Sequence, residues 1–289
     1  MTNPTTVIRE PVAIGRFYPQ NRDQLEACIP GYFQEGLDLL AKTNQEATTK
    51  APWAILLPHA GYIYCGKVIG ATLGKINLPE TLIILCPNHT GRGKPFGVWP
   101  DGVWKMPFGN YPIATDIVNL LNQTKIFEPD YLSHLGEHSI EVLLSFLFYS
   151  CGQKLPSIVP ISIGTHNVEA LKAAGFEMAR VLKTLEVNKR QVGLIISSDM
   201  NHYEDHETCL AKDNLALEKI IQNDPDGLLQ VCAEQNITMC GVGPTALMLY
   251  AAKHLLKLKP KVIYHTTSAE ASGNFKQTVG YAGLHLASN

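Results

Sequence analysis

Two histidines in this chain follow apolar runs in the same way. Ala54–Leu57 leads into Pro58-His59-Ala60-Gly61-Tyr62, and Thr81–Cys86 leads into Pro87-Asn88-His89-Thr90-Gly91. If both runs are parallel strands, each histidine stands just beyond a strand's carboxyl end, where open α/β sheets bind their ligands. A pair of imidazoles on such a rigid edge suits Fe, Zn or Cu. Either histidine alone is as readily a hydrogen-bonded loop residue; the repeated design is what favours a ligand pair.

Three further segments carry similar chemistry. Ile195–Ser198 empties into Asp199-Met200-Asn201-His202. On a helical first turn the three-residue spacing would turn Asp199 and His202 to one side. A carboxylate beside an imidazole that titrates near neutrality suits proton transfer; the plainer reading is helix capping by Ser198 or Asp199. Thr238-Met239-Cys240-Gly241-Val242-Gly243-Pro244 opens an apolar helix, and Pro244 suits a first helical position. Cys240 would then sit near a helix N-terminus, which lowers a thiol's pKa and favours the metal-binding thiolate. Its plainer reading is a buried, inert cysteine. Leu135-Gly136-Glu137-His138-Ser139-Ile140-Glu141 opens another apolar helix. There Glu137 and His138 either line the same pocket or serve the helix start.

The elements that must hold these residues follow from hydrophobic pattern. Strands are expected at Ala54–Leu57, Thr81–Cys86, Ser157–Ile163, Val192–Ser197, Lys261–Thr266 and Val279–Leu286. Helices are expected at Lys67–Leu73, Ile140–Tyr149, Val168–Leu185, Ala211–Gln222 and Pro244–Leu258. Phe96–Pro112 reads as a hairpin or extended loop, and Thr43–Lys50 as a surface loop. Alternating strands and helices predict an α/β fold, with a largely parallel or mixed central sheet flanked by helices. No repeat or linker divides the chain, so 1–289 is expected to form a single domain.

Bulk properties narrow the function. The 289 residues are 45% hydrophobic and 17% charged, with a formal net charge of −2. No basic run exceeds a pair such as Lys189-Arg190, which argues against nucleic acid and against an anionic membrane surface. No apolar run approaches the ~20 residues of a membrane span, and the first ten residues carry no signal-peptide core. The seven scattered cysteines include no C-x-x-C pair, as expected of reduced thiols in a cytoplasmic protein. The G-x-S-x-G elbow, the P-loop, a G-x-G-x-x-G after a strand and H-E-x-x-H are all missing from the sequence.

Assembled, these residues resemble the Memo family, whose bacterial and archaeal members include a component of the AmmeMemoRadiSam system. The resemblance runs almost end to end. It takes in Arg9-x-Pro11, Gly15-x-Phe17-Tyr18-Pro19, the stretch from Pro58 to Gly66, Pro87-Asn88-His89 and Leu135–Glu141. It continues through Ser197-Ser198-Asp199-x-x-His202, Cys240-Gly241 and Val279-Gly280-Tyr281-Ala282-Gly283. Met106-Pro107-Phe108 departs from the family's usual Thr-Pro-Leu, a change expected at the pocket mouth.

The resemblance implies a fold like that of the class III extradiol dioxygenases, with His59, His89 and Cys240 at the metal-ligand positions. Asp199 and His202 then take acid/base positions, Cys240 being also a candidate reactive thiol, and Tyr62, Glu137, His138 and Arg92 fall to substrate binding. The dioxygenases use two histidines and a carboxylate. A cysteine in the third place softens the site toward Cu(I), Zn or thiolate-bound Fe. Fe or Cu is expected ahead of Zn, serving a redox, oxygenase-like reaction on an unidentified small molecule or peptide. Two other readings stand beside it: an adaptor that captures a peptide in the old pocket, with Arg92 and Lys94 offered to an anion, or an accessory to radical-SAM and AMMECR-type proteins. Zinc hydrolysis is a weaker option.

Overall fold

Aliphatic runs with no polar alternation fold as strands buried on both faces, and four of them make the parallel centre of the sheet. The structure, a computed structural model, describes residues 6–255 and 257–288. In chain order its elements are β1 (Ile8–Arg9), α1 (Arg22–Lys42), β2 (Ala54–Leu57), α2 (Tyr62–Leu73), β3 (Thr81–Pro87), β4 (Phe96–Val98) and β5 (Val103–Met106). There follow β6 (Gly109–Pro112), α3 (Thr115–Gln123), β7 (Glu128–Pro129), α4 (Glu141–Ser150), β8 (Ser157–Ile163), α5 (Val168–Val187) and β9 (Gly193–Ser197). The chain ends with β10 (His202–Glu204), α6 (His206–Ile221), α7 (Pro225–Glu234), α8 (Val242–Lys253), β11 (Leu258–Thr267), α9 (Ala269–Ser272) and β12 (Thr278–Ser288).

The main sheet runs β10-β12-β2-β9-β3-β8-β4-β7, with β11 paired to β12. β2, β9, β3 and β8 are mutually parallel. β12, β11, β10 and β4 join antiparallel, which makes the sheet mixed. A small sheet of β1, β5 and β6 lies apart. α2, backed by α1 and α4, packs against β2 and β12, while α8, backed by α5 and α7, packs against β3, β8 and β9. This is the flanked α/β fold class expected for a Memo-like chain.

Several local expectations change. The extended stretch at 96–112 holds three short strands, of which β5 and β6 form a hairpin. The last long helix stops at Lys253, and Leu258, expected inside it, instead opens β11. No helical turn follows Asp199. His202 enters a strand opposite Val279, so Asp199 and His202 are not stacked on one helix face. α1, α3 and α7 lie outside the elements expected from hydrophobic pattern.

The topology decides how the two histidine motifs meet. β9 lies between β2 and β3, so the strands that carry His59 and His89 are not neighbours. Strands stand about 4.8 Å apart, placing these two roughly 10 Å from each other. The histidines converge by leaning over the end of β9, which delivers Ser197 and Asp199 between them.

Candidate metal centre

The ring centroids of His59 and His89 are 5.4 Å apart, and both stand close to His138, at 5.6 and 5.0 Å. Each of the three presents a ring nitrogen within 4.8 Å of the others. Small ring rotations bring nitrogens that close onto a single ion. His138 enters this cluster from the segment before α4, stacked on His89 at an interplanar angle of 28°.

Hydrogen bonds fix two of the tautomers. The Ser197 hydroxyl donates its proton to the Ser139 carbonyl at 2.7 Å, so the 2.7 Å contact with His59 leaves Nδ1–H as the donor. His59 Nε2 is then an unprotonated lone pair. In His89, Nδ1–H donates to Glu137 Oε1 at 2.9 Å, which again frees Nε2. Metal-binding imidazoles are characteristically oriented this way, through the opposite nitrogen.

Glu137 holds the His89 segment firmly. Its Oε2 accepts the His89 backbone N–H at 2.6 Å, and Oε1 also accepts the Ser139 hydroxyl and backbone N–H. Burial opposes charge on Glu137, yet the His89 and Ser139 donors prevail and hold its pKa down to about 2. Behind it, buried Arg9 pairs with Glu141 at 2.7 Å, donates to the carbonyls of His134 and Glu137, and lies 4.1 Å over the Trp104 ring. Glu141 in turn accepts from Val12, Ala13 and Tyr18. The amino-terminal segment is thereby clamped to the loop bearing Glu137 and His138.

Burial dominates the charge states of the rings. It pushes His59 well below the usual imidazole value, helped by the charges His89 and His138 would carry. Burial also lowers His138 against the pull of Glu137, while at His89 the Glu137 hydrogen bond overrides burial and raises the pKa. Neutral imidazole is the form that binds a metal.

Cys240 reaches the cluster from the loop before α8, with Sγ 3.4 Å from His59 Nε2. The Asp199 backbone N–H donates to this sulfur at 3.2 Å. The expected low thiol pKa does not hold for the free side chain. Burial, followed by the Asp199 carboxylate, raises it well above the ordinary value and outweighs the nearby helix N-terminus. Gly241 lets this loop close on the end of β9: a Cβ there would lie 2.3 Å from Ser198 Cβ, and its N–H donates to Ser198 Oγ at 3.0 Å.

Asp199 is buried and His202 half-buried, and the two have separate anchors. Asp199 Oδ1 accepts the His59 backbone N–H at 2.7 Å, and burial raises its pKa. His202 is held by Thr238, not by Asp199. Its backbone N–H donates to Thr238 Oγ1 and its Nδ1–H to the Thr238 carbonyl at 3.0 Å, leaving Nε2 free. Asn201 ties the same two segments, because its Oδ1 accepts from the Thr238 N–H.

The remaining candidates are placed elsewhere. Tyr62 is buried in the core, its hydroxyl donating to the Val142 carbonyl and its ring against Phe146 at 4.8 Å. Arg92 is exposed on the turn after His89, where its carbonyl accepts from Asn88. Ser197, Ser139, Thr238 and Arg9 are not among the candidates named from the sequence. Arg9, Ser139 and Ser197 do lie within the motifs that carry the resemblance, which is a usable signal; Thr238 does not.

A mixed α/β sheet gathering three histidines and a cysteine at the carboxyl ends of its parallel strands defines the class of protein. The chain belongs to the Memo family. The family model described as Memo-like protein matches residues 9–285. MEMO1 family proteins of Thermotoga neapolitana and Sulfurisphaera tokodaii are each 37% identical to it over 97% of this chain, covering 100% and 99% of their own lengths. A crystal structure of an uncharacterized Escherichia coli K12 protein superposes with a TM-score of 0.53 at 11% identity, covering 80% of this chain and 98% of the other, a likeness of fold alone.

Proposed function

We propose that the protein binds one transition-metal ion through His59, His89 and His138, with the Cys240 sulfur as a fourth donor, and uses it in a redox reaction. The observation that carries this reading is the convergence of three imidazoles, two of them locked with Nε2 unprotonated. Such a donor set fits the group, since three nitrogens and a soft sulfur suit Fe or Cu ahead of hard, oxygen-seeking cations. When bound, such an ion supplies one-electron chemistry and polarises a coordinated substrate.

The chain's own residues do the rest. Ser197 and Glu137 hold two rings in their binding orientation, and Glu137 supplies negative charge behind His89. His202, anchored on Thr238, keeps Nε2 free to accept a proton at the rim. Asp199 fixes the backbone of His59 and donates its own N–H to the Cys240 sulfur. All seven cysteines are unpaired, in keeping with a reducing, cytoplasmic setting. Among the described residues no helix is long and apolar enough to cross a membrane.

The test is spectroscopic. Titration of the metal-free protein with Cu(II) or Co(II) is expected to give one equivalent bound and a sulfur-to-metal charge-transfer band that Cys240→Ser removes. A protein that binds neither ion stoichiometrically would defeat the reading.

A further inference from the structure

The strand that carries His59 has a second, unrelated feature at its other end. A cavity of about 490 Å³ opens beside Trp53, between the tail of α1, the 45–53 loop, the end of α2 and the β11–β12 ladder. Trp53 precedes His59 by six residues in largely extended chain, so the two sites stand up to roughly 20 Å apart. A volume of this order is typical of small-molecule pockets.

Its open side has a definite chemistry. Alternate residues of β11 point the same way, which puts Lys259 and Lys261 on one face, and Ile263, at the bulge that follows, packs with Leu40 and Ala71 on the same side. On β12, Ala287 lies opposite Lys259 and His285 opposite Lys261, completing that face. The walls are apolar, from Leu40, Ala71, Leu73 and Trp53, and Lys50 stands on the loop above. Glu46 is the single acidic residue on the lining. Lys259 and Lys261 are both exposed at the open side of the cavity, and among the described residues neither enters an ion pair. Gln45, also on the wall, has its Oε1 buried without a hydrogen-bond partner.

We infer that this cavity binds a small amphipathic carboxylate, its apolar tail or ring between the α1 tail, α2 and Trp53 and its charged end on Lys259 and Lys261. An apolar cleft alone would take a neutral molecule equally well. Two adjacent cations without acidic partners at its open side select an anion, and the volume limits it to a small molecule. The site is independent of the histidine cluster, and its occupant need not be that cluster's substrate.

The experiment uses the intact chain and follows Trp53 fluorescence, since the other two tryptophans, Trp99 and Trp104, are fully buried away from the cavity. Decanoate, decanol and acetate are titrated in turn, and stoichiometry is checked by calorimetry. Decanoate is expected to bind one to one, about tenfold more tightly than decanol, while acetate leaves the fluorescence unchanged. Lys259→Gln/Lys261→Gln, shown by an unchanged thermal transition to be folded, is expected to bring decanoate down to the decanol level. Ala71→Leu, which fills the cavity and keeps both lysines, is expected to abolish both. Equal binding of decanoate and decanol, decanoate affinity untouched by the lysine changes, or no binding at all would each overturn the proposal.

Discussion

Glu137 grips His89 at two points, taking the ring Nδ1–H on one carboxylate oxygen at 2.9 Å and the backbone N–H on the other at 2.6 Å. One acidic side chain thus sets both the position and the tautomer of a proposed ligand. Glu137→Ala is expected to weaken metal binding by about ten- to a hundredfold. Competition titration against a chelator of known affinity checks it. An affinity within twofold of wild type would show that His89 needs no such support.

Ser197 does for His59 what Glu137 does for His89, but without charge. Ser197→Ala leaves Nδ1 with no acceptor and lets the two neutral tautomers of His59 mix. Imidazole ¹⁵N shifts of the metal-free protein are expected to show Nε2 unprotonated in the wild type and both nitrogens averaged in the variant. Metal affinity is expected to drop about tenfold.

Gly241 is required by space, not by backbone angle. A methyl group there meets Ser198 Cβ at 2.3 Å and forces the Cys240 loop off the end of β9. Gly241→Ala is expected to cost about 1–3 kcal/mol, a fall of several degrees in the thermal midpoint. The sulfur-to-metal band should weaken in parallel, because Cys240 moves with its loop.

His134 contributes a defined share of the pH dependence of stability. It is fully buried, its Nε2–H donates to the Gly97 carbonyl, and burial lowers its pKa from 6.5 to about 4. The unfolded chain therefore binds more protons between those values, and stability falls as pH drops from about 6.5 to 4. The full loss is roughly 3 kcal/mol at 1.36 kcal/mol per unit. Denaturant midpoints measured across this range should slope in the wild type and less steeply in His134→Gln, the remaining slope coming from His59, His138 and His285, which burial also lowers. Glu137, held down at about 2, acts in a lower window: its contribution is present above 4.5 and is lost as pH falls toward 2.

The parallel core was legible because β3 and β9 are short, mostly aliphatic runs of strand length, and the pairing of His59 with His89 followed from the repeated strand-to-histidine design. The neighbour relation of their strands was not legible. Nothing local says that β9 inserts between β2 and β3, and that insertion is what brings Ser197 and Asp199 to the histidines. The spacing of Asp199 and His202 suggested a helix, but pairing with β12 overrides so short a pattern. The thiol of Cys240 was misjudged for a related reason: a helix N-terminus is visible in sequence, while the burial and the facing carboxylate that outweigh it are tertiary. His138 was assigned to substrate, and only its stacking on His89 places it among the candidate donors.

The most direct test of the account is the metal content of protein purified without oxygen, quantified for Fe, Cu and Zn in the wild type and in His89→Ala, His138→Ala and Cys240→Ala. Close to one equivalent of Fe or Cu is expected in the wild type, with near-complete loss in both histidine variants and partial loss in Cys240→Ala. A folded wild type that neither carries nor takes up an equivalent of metal, or histidine variants that retain it in full, would contradict it.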